Sequence, residues 1–160
     1  MGDPEARPAL ATDAEQCAEI CREAVEALAS QRGGPLAAAQ ELSLVIKAIS
    51  RPGGLARLLA DPRRKVLVVA IDDSLVGMCI GRMEVLGAAK LGVVEWGYVR
   101  REARGKGAGA AMRNLLTAWF EEAGAAGIDA TVLPGDRETK VFLEEAGFKA
   151  RLITVHHSLG

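Results

Sequence analysis

Aromatic residues, cysteines and surplus charge are all scarce in this 160-residue sequence. Aromatic side chains make up only 4% of it, and three cysteines are too few, and odd in number, for a disulfide framework. The formal net charge of −1 gives no overall field that would attract nucleic acid or an anionic membrane. Cysteine and histidine also lack partners at ligand spacing, so we expect no metal site.

Long apolar runs are missing as well. The longest aliphatic run, Val66 to Ile71, is far short of the roughly 20 residues that cross a bilayer. Residues Met1 to Pro8 carry charges and prolines and do not resemble a secretory signal. We therefore expect a soluble cytoplasmic protein in which residues 1–8 form a disordered tail and residues 9–160 form one domain.

Apolar residues make up 49% of the chain, and their spacing predicts helices in its first third. A stripe from Ala14 to Leu28 has helical period, and Thr12 or Asp13 is placed to cap that helix. Two further helices are predicted over Leu36 to Ile49 and Leu55 to Leu59, each followed by proline or glycine.

Strand patterns dominate the remainder of the chain and are interrupted by two helices. The predicted helices run from Ala108 to about Gly124 and from Asp136 to Ala146. The predicted strands are Val66 to Ile71, Leu75 to Val85, Gly92 to Val99, Ile128 to Leu133 and Phe148 to His157. Asp72, Asp73 and Ser74 have the composition of a tight hairpin turn. This order predicts an α+β domain with helices on both faces of a mixed sheet.

A glycine-rich turn, Arg104 to Gly109, lies between a predicted strand and a predicted helix. The unpaired N–H groups of a first helical turn, together with the helix dipole, favour an anion. Gly105, Gly107 and Gly109 let the backbone approach phosphate oxygens, and Ala108 and Ala110 keep the surroundings shallow. Because Arg104 and Lys106 add positive charge, the turn is predicted to bind a polyphosphate.

Other interpretations of the turn are a flexible basic loop and a dinucleotide site, since Gly105, Gly107 and Ala110 satisfy a relaxed dinucleotide fingerprint. The polar stretch before the first glycine and the short chain after it disfavour a doubly wound sheet. The preceding strands are predicted to form a meander joined by short turns. The parallel strands of a dinucleotide-binding fold would need crossover helices between them. A nucleotide triphosphate loop is excluded because no Gly-Lys-Ser or Gly-Lys-Thr occurs.

The stretch Val99 to Gly109 resembles the coenzyme A-binding motif of the GNAT superfamily of N-acetyltransferases, with Arg104, Gly107 and Gly109 at its three signature places. The segment Phe142 to Phe148 resembles the second family signature, and the element order is similar from about Pro8 to His157. The resemblance implies a mostly antiparallel mixed sheet with a splayed central strand pair. It also implies acetyl-coenzyme A as the donor and a small-molecule or peptide amine as the acceptor.

The same resemblance implies roles along the coenzyme. Val99, Arg100 and Arg101 would follow its pantetheine arm, with backbone hydrogen bonds from Val99 and Arg101. An N–H near Tyr98 or Val99 would polarise the thioester carbonyl. Asp136 stands where relatives often have an asparagine that meets the pantetheine, or else it caps a helix.

For catalysis, the resemblance places Glu95 where many relatives carry a carboxylate that takes the proton of the attacking amine. The alternative is a solvated carboxylate without a catalytic role. Leu143 replaces the tyrosine that often protonates the leaving thiolate, and Tyr98 could substitute for it or belong to the core. Because this acid is missing, an alternative function stays open, that of a non-catalytic sensor that binds acyl-coenzyme A. Relatives are often dimers, so a homodimer is also implied.

Overall fold

The computed structural model describes residues 2–39 and 41–160 and contains a five-stranded sheet of strand order β1-β2-β3-β4-β5. The strands are β1 (Glu5–Pro8), β2 (Arg64–Ile71), β3 (Ser74–Leu86), β4 (Ala89–Val99) and β5 (Gly127–Ala130). Neighbouring strands are antiparallel except β4 and β5, which are parallel. The predicted α+β class and the mixed, mostly antiparallel sheet are confirmed.

Six helices are described. They are α1 (Ala14–Ala29), α2 (Gly34–Ala39), α3 (Glu41–Ile49), α4 (Gly54–Ala60), α5 (Ala108–Glu122) and α6 (Arg137–Glu145). The helix predicted over Leu36 to Ile49 corresponds to α2 and α3, and residue 40 between them lies outside the described residues. Among the described helices, none combines the length and apolarity that a membrane crossing requires.

The sheet buries apolar side chains on both faces. One face packs against α1, α3 and α4, and the other packs against α5. In β2 the two sets alternate, so that Val66 and Val68 belong to the first core and Leu67 and Val69 to the second. This alternation explains why β2 reads as a continuous aliphatic run, since a strand covered on both faces needs no polar side.

The β2–β3 connection is a two-residue turn formed by Asp72 and Asp73. Both residues have positive φ, 48° and 65°, and the flanking residues Ile71 and Ser74 pair directly. Positive φ at both central residues is the signature of a type I′ turn, whose twist matches that of the strands. The hairpin predicted from these residues is confirmed.

A β-bulge at Glu95 changes the direction of β4. Ile80 pairs with Trp96 while Gly81 pairs with Val94, so Glu95 is an extra residue without a partner on β3. Before the bulge Val94 packs on the α5 side, whereas after it Trp96 and Tyr98 belong to the opposite core. Pairing with β5 also ends at Val94 and Ala130, so the two strands separate from the bulge onward.

Two predictions near the N-terminus are wrong. Residues 5–8 are not a disordered tail but strand β1, which pairs with β2 and packs Ala6 against the α5 side of the core. Asp13 does not cap α1, because its carboxylate accepts hydrogen bonds from Arg7 and from the N–H of Leu10. These bonds hold β1 against the start of α1.

The strand predicted over Phe148 to His157 is also wrong. Residues 148–160 form neither helix nor strand, and all residues from 151 to 160 are exposed. The strand predicted over Ile128 to Leu133 is confirmed only at its start, because β5 ends at Ala130. The alternating pattern of the last segment has no pairing partner within the described chain, and backbone pairing is what makes a strand.

Candidate active site

The glycine-rich turn has the backbone geometry that its composition predicts. Gly105 has φ of +72° and Gly107 has φ of +89°, a region that side chains with a Cβ avoid. Gly107 is the residue immediately before α5, and no side chain caps that helix. Two of the three glycines are therefore required by the path of the chain itself.

The first turn of α5 carries backbone donors for which the described part of the chain offers no acceptor. The N–H groups of Ala108, Gly109 and Ala110 meet no acceptor in the part of the chain that the structure describes, and the first bond of the helix is from Ala111 N to Gly107 O, at 2.9 Å. Ala108 as a whole residue is only 1% exposed, whereas Gly109 and Ala110 are partly exposed. Three aligned donors at the positive end of a helix form a place for an anion.

Gly109 lies close to the neighbouring helix α6. A Cβ at this position would lie 3.4 Å from the ring of Phe142 on α6 and 4.0 Å from a methyl group of Val99 on β4. The guanidinium of Arg113 on α5 lies over the same Phe142 ring, 4.7 Å from its centroid. Phe142 thus packs α6 against the start of α5.

The cleft beside this turn is a gap between two strands. Residues 96–99 of β4 pair with β3 on one side, but on the other side pairing with β5 stops at Val94. The exposed backbone edge leads from Glu95 toward the turn. An extended chain carrying amide groups could add to such an edge by main-chain hydrogen bonds. The predicted splayed strand pair is confirmed.

The side chain of Arg104 lies in this cleft rather than over the turn. Its Nε donates to the carbonyl oxygen of Val99 at 2.9 Å, and its guanidinium lies 5.5 Å from the centroid of the Tyr98 ring. Its Nη1 is 3.5 Å from the carboxylate of Glu138 in the first turn of α6. To meet a phosphate at the turn, this side chain must leave the Val99 carbonyl.

Arg100 points away from the predicted coenzyme site. Its guanidinium binds Glu23 on α1, with Nε to Oε2 at 3.1 Å, and donates from Nη1 to the carbonyl of Leu75 at 3.0 Å. The reason is strand alternation, since Tyr98 and Arg100 face the α1 side while Val99 faces α5. Arg101 begins a short 3-10 turn and is exposed, as is Lys106.

Glu95 lies in a network of arginines. Arg64 donates to it twice, from Nε to Oε2 at 3.2 Å and from Nη2 to Oε1 at 3.1 Å. Arg82 donates to Oε1 at 3.3 Å, and the Glu95 side chain is only 8% exposed. The hydrogen bonds with Glu95 raise the pKa of Arg64 above its usual value. Three of the roughly four acceptor positions of this carboxylate are occupied.

The network extends to two further carboxylates. Asp61, just after α4, binds Arg64 at 2.6 Å, and Glu84 on β3 binds Arg82 at 2.5 Å. Arg64 and Arg82 are register partners on β2 and β3, and strand alternation puts them on the face of Val66 and Ile80, which carries α1 and α4. The carboxylates therefore face guanidinium groups, and the described cluster presents no large surplus of negative charge.

Asp136 and Tyr98 have structural partners. Asp136 precedes α6, and its carboxylate accepts from the N–H of Thr139 at 3.0 Å and from its hydroxyl at 2.7 Å. Asp136 therefore caps α6, and the helix-cap alternative for this residue is confirmed. The Tyr98 ring packs against the core on the α1 side. Leu143, in the place of the usual tyrosine, lies half-buried in α6.

Sequence reasoning missed three residues that shape this site. Arg64 and Arg82 occur in strand patterns where charged residues normally face solvent, and no local signal linked them to Glu95 across β3. In the sequence, Phe142 stands out only as part of the second family signature. Its small-residue counterpart, Gly109, was attributed to phosphate approach alone, although a Cβ there would meet the Phe142 ring.

The fold described above is similar to that of solved acetyltransferases. The family model described as "Acetyltransferase (GNAT) family" matches residues 37–148, which is more than half of the chain. The chain therefore belongs to the acetyltransferase (GNAT) family. The resemblance found in the sequence is confirmed.

Solved structures agree with this assignment at the level of the fold. A transcriptional regulator from Bacillus halodurans C-125 is 20% identical, with 98% of this chain and 99% of that chain covered and a TM-score of 0.71. A ribosomal-protein-alanine N-acetyltransferase from Brucella melitensis biovar Abortus 2308 is 19% identical, with coverages of 98% and 99% and a TM-score of 0.66. AAC(6')-Iy, solved with the bisubstrate analog CoA-S-monomethyl-acetylneamine, is 12% identical, with coverages of 98% and 99% and a TM-score of 0.70. No curated protein matches the sequence.

Proposed function

We propose that this protein is an N-acetyltransferase that transfers the acetyl group of acetyl-coenzyme A to a primary amine. The observation that carries the proposal is the row of unpartnered N–H groups at Ala108, Gly109 and Ala110, located where the unpaired edge of β4 ends. Family membership supports the reaction class. A cytoplasmic location agrees with this chemistry and stays a prediction.

The residues present fit the coenzyme. The three amides would bind its diphosphate, and Gly105 and Lys106 would line the same turn. The backbone of Val99 and Arg101 would bind the pantetheine arm, once Arg104 releases the Val99 carbonyl and turns toward the phosphates. Arg100 would bind the coenzyme through its backbone, because Glu23 on α1 holds its side chain. Asp136 would bind the coenzyme from its position at the cap of α6. The coenzyme supplies an activated acetyl thioester.

In the proposed step, the amine nitrogen forms a bond to the acetyl carbon, and the bond from that carbon to sulfur breaks. Glu95 takes the proton from the amine, directly or through water. An N–H near Tyr98 or Val99 polarises the acetyl carbonyl. The leaving thiolate takes a proton from water or from the Tyr98 hydroxyl, since Leu143 has none to give.

A second candidate function, an acyl-coenzyme A sensor without turnover, is favoured by two observations. Glu95 already accepts three hydrogen bonds from Arg64 and Arg82, which leaves it little capacity for an incoming amine. Leu143 also removes the usual acid. A sensor would keep the turn and the cleft and would bind the coenzyme without releasing free thiol.

The test is a thiol-release screen over amines, polyamines, aminoglycosides and peptides, with coenzyme binding measured in parallel. If Glu95 is the base, Glu95→Gln lowers kcat by about 100-fold or more and leaves coenzyme binding intact. Glu84→Gln is the matched control, because Glu84 also binds Arg82 but lies off β4. Coenzyme binding without turnover on any acceptor would favour the sensor.

A further inference from the structure

A groove between α1 and α3 lies apart from the site described above. Its volume is about 430 Å³, and α1, α3 and the turn after α3 line it. Two of its lining side chains are apolar, the half-buried Val25 on α1 and Ile46 on α3, which is 4% exposed. A concave site of this size with an apolar lining is in the range that small molecules occupy.

Three positively charged side chains also line this groove. Arg22 comes from α1, Lys47 from α3 and Arg51 from the turn that follows α3, and all three are exposed. Among the described residues, Glu26 on α1 is the one carboxylate of the lining. The groove therefore has a surplus of positive charge, although the chain as a whole has a net charge of −1.

These cations differ from other arginines of the chain in having no partner. Arg64 and Arg100 each bind carboxylates at about 3 Å, as described above. Within residues 2–39 and 41–160, the three charged groups of the groove form neither an ion pair nor a side-chain hydrogen bond. Even the pair formed by Arg22 and Glu26, at the i, i+4 spacing that favours an ion pair, is not joined.

The unpaired charges repel one another because they line the same groove. The dipole of α3 favours cations at the end of that helix, which accounts in part for Lys47 and Arg51. It does not account for Arg22, which lies in the middle of α1. An anion in the groove would offset the repulsion, since guanidinium and ammonium groups donate strong hydrogen bonds to carboxylate and phosphate oxygens.

We propose that this groove binds a small organic anion. Its carboxylate or phosphate head lies among Arg22, Lys47 and Arg51, and its apolar tail lies against Val25 and Ile46. The apolar lining disfavours a bare inorganic anion, and the charge disfavours a neutral or cationic molecule. This inference does not depend on acetyl transfer, because the groove contains neither the glycine-rich turn nor Glu95.

The first test is calorimetric titration with five probes: octanoate, octyl phosphate, octanol, octylamine and inorganic phosphate. Octanoate or octyl phosphate should bind at one site, about tenfold or more tighter than octanol and octylamine. The tighter of the two identifies the head group. Inorganic phosphate should bind about tenfold or more weakly than octyl phosphate, because it has no tail to bury.

The second test uses variants of exposed side chains, which should leave the fold intact. Arg22→Gln and Lys47→Gln should each weaken binding of the tighter probe by about fivefold or more. Lys149→Gln, at an exposed cation beyond α6, is the matched control and should bind normally. Replacing both Lys47 and Arg51 with glutamate should reverse the preference toward octylamine. Thermal unfolding checks the fold of each variant.

The third test separates this groove from the glycine-rich turn, which also favours anions. Gly107→Ala should bind the probe as the unmodified chain does, and the amide resonances of residues 22–26 and 46–51 should shift rather than those of 104–110. Absence of binding by both octyl anions, equal binding of octanol, normal binding by folded Arg22→Gln and Lys47→Gln, or shifts confined to 104–110 would each overturn the proposal.

Discussion

Arg64 on β2 reaches across β3 to bind Glu95 on β4 through two hydrogen bonds, of 3.2 and 3.1 Å. The pair lies where the β-bulge turns β4 and where β4 separates from β5. The orientation of Glu95 is therefore fixed by a residue 31 positions earlier in the chain. If Glu95 takes the proton of the acceptor, Arg64 is the residue that positions it.

Replacing Arg64 should separate catalysis from coenzyme binding. We expect Arg64→Gln to lower kcat/KM for the acceptor by about tenfold or more, because the carboxylate loses the two bonds that orient it. The coenzyme dissociation constant should not change. Arg63→Gln is the control, since the Arg63 side chain is 73% exposed and forms an ion pair with Asp61 rather than with Glu95. Equal effects of the two substitutions would contradict the positioning role.

The glycine-rich turn offers a comparison between two glycines of similar backbone geometry. Gly107 has φ of +89° before α5, and Gly124 has φ of +82° after it. Replacing either with alanine should cost about 1–2 kcal/mol of stability, because both adopt the left-handed region. Only Gly107→Ala should weaken coenzyme A binding, by about tenfold or more, as measured by calorimetry. Similar binding by both variants would show that the turn does not hold the diphosphate.

The three cysteines should be unreactive in the folded protein. Burial raises the pKa of Cys17, Cys21 and Cys79 to about 12 in each case. Because the thiolate is the reactive form, Ellman's reagent at pH 8 should detect almost no thiol until denaturant is added, and then three per chain. Rapid reaction of a native thiol would show that the core opens more easily than its packing indicates.

The contact between β1 and the start of α1 predicts a pH-dependent loss of stability. Hydrogen bonds from Arg7, 2.8 and 2.9 Å long, hold the pKa of Asp13 below its usual value despite burial. The lowered pKa stabilises the fold fully above the unfolded value of about 3.9, and the stabilisation is lost as pH falls through the folded value.

Asp13→Asn should therefore reduce the free energy of unfolding at pH 7 by about 1–3 kcal/mol. The difference from the unmodified chain should shrink as the pH is lowered through the acid range. Urea unfolding at several pH values measures both effects, and Asp3→Asn on an exposed carboxylate serves as the control. A deficit that is the same at pH 7 and in acid would show that Asp13 does not act through its charge.

Much of the fold could be predicted because its local signals agree with its packing. The helical stripe of α1, the aspartates of the β2–β3 turn and the uncapped start of α5 are each encoded within a few neighbouring residues. The geometry of the glycine-rich turn was predictable for the same reason. Two of its glycines have the positive φ that their position before a helix implies.

What the sequence did not reveal depends on residues far apart in the chain. β1 has only four residues, too few to predict a strand from their pattern, and its pairing with β2 makes it a strand. The alternation of residues 148–157 looked like a strand, yet no described edge pairs with it. The contacts of Glu95 with Arg64 and Arg82 cross three strands, and the role of Phe142 depends on the packing of α6 against Gly109.

The central claim is that the amides of Ala108, Gly109 and Ala110 bind the diphosphate of the coenzyme. The most direct measurement is an amide nitrogen–proton NMR spectrum recorded while coenzyme A is added. We predict that these three resonances shift most and saturate together, and that Gly107→Ala suppresses the shifts. Saturable binding that leaves the three amides unchanged, or no binding at all, would contradict the account.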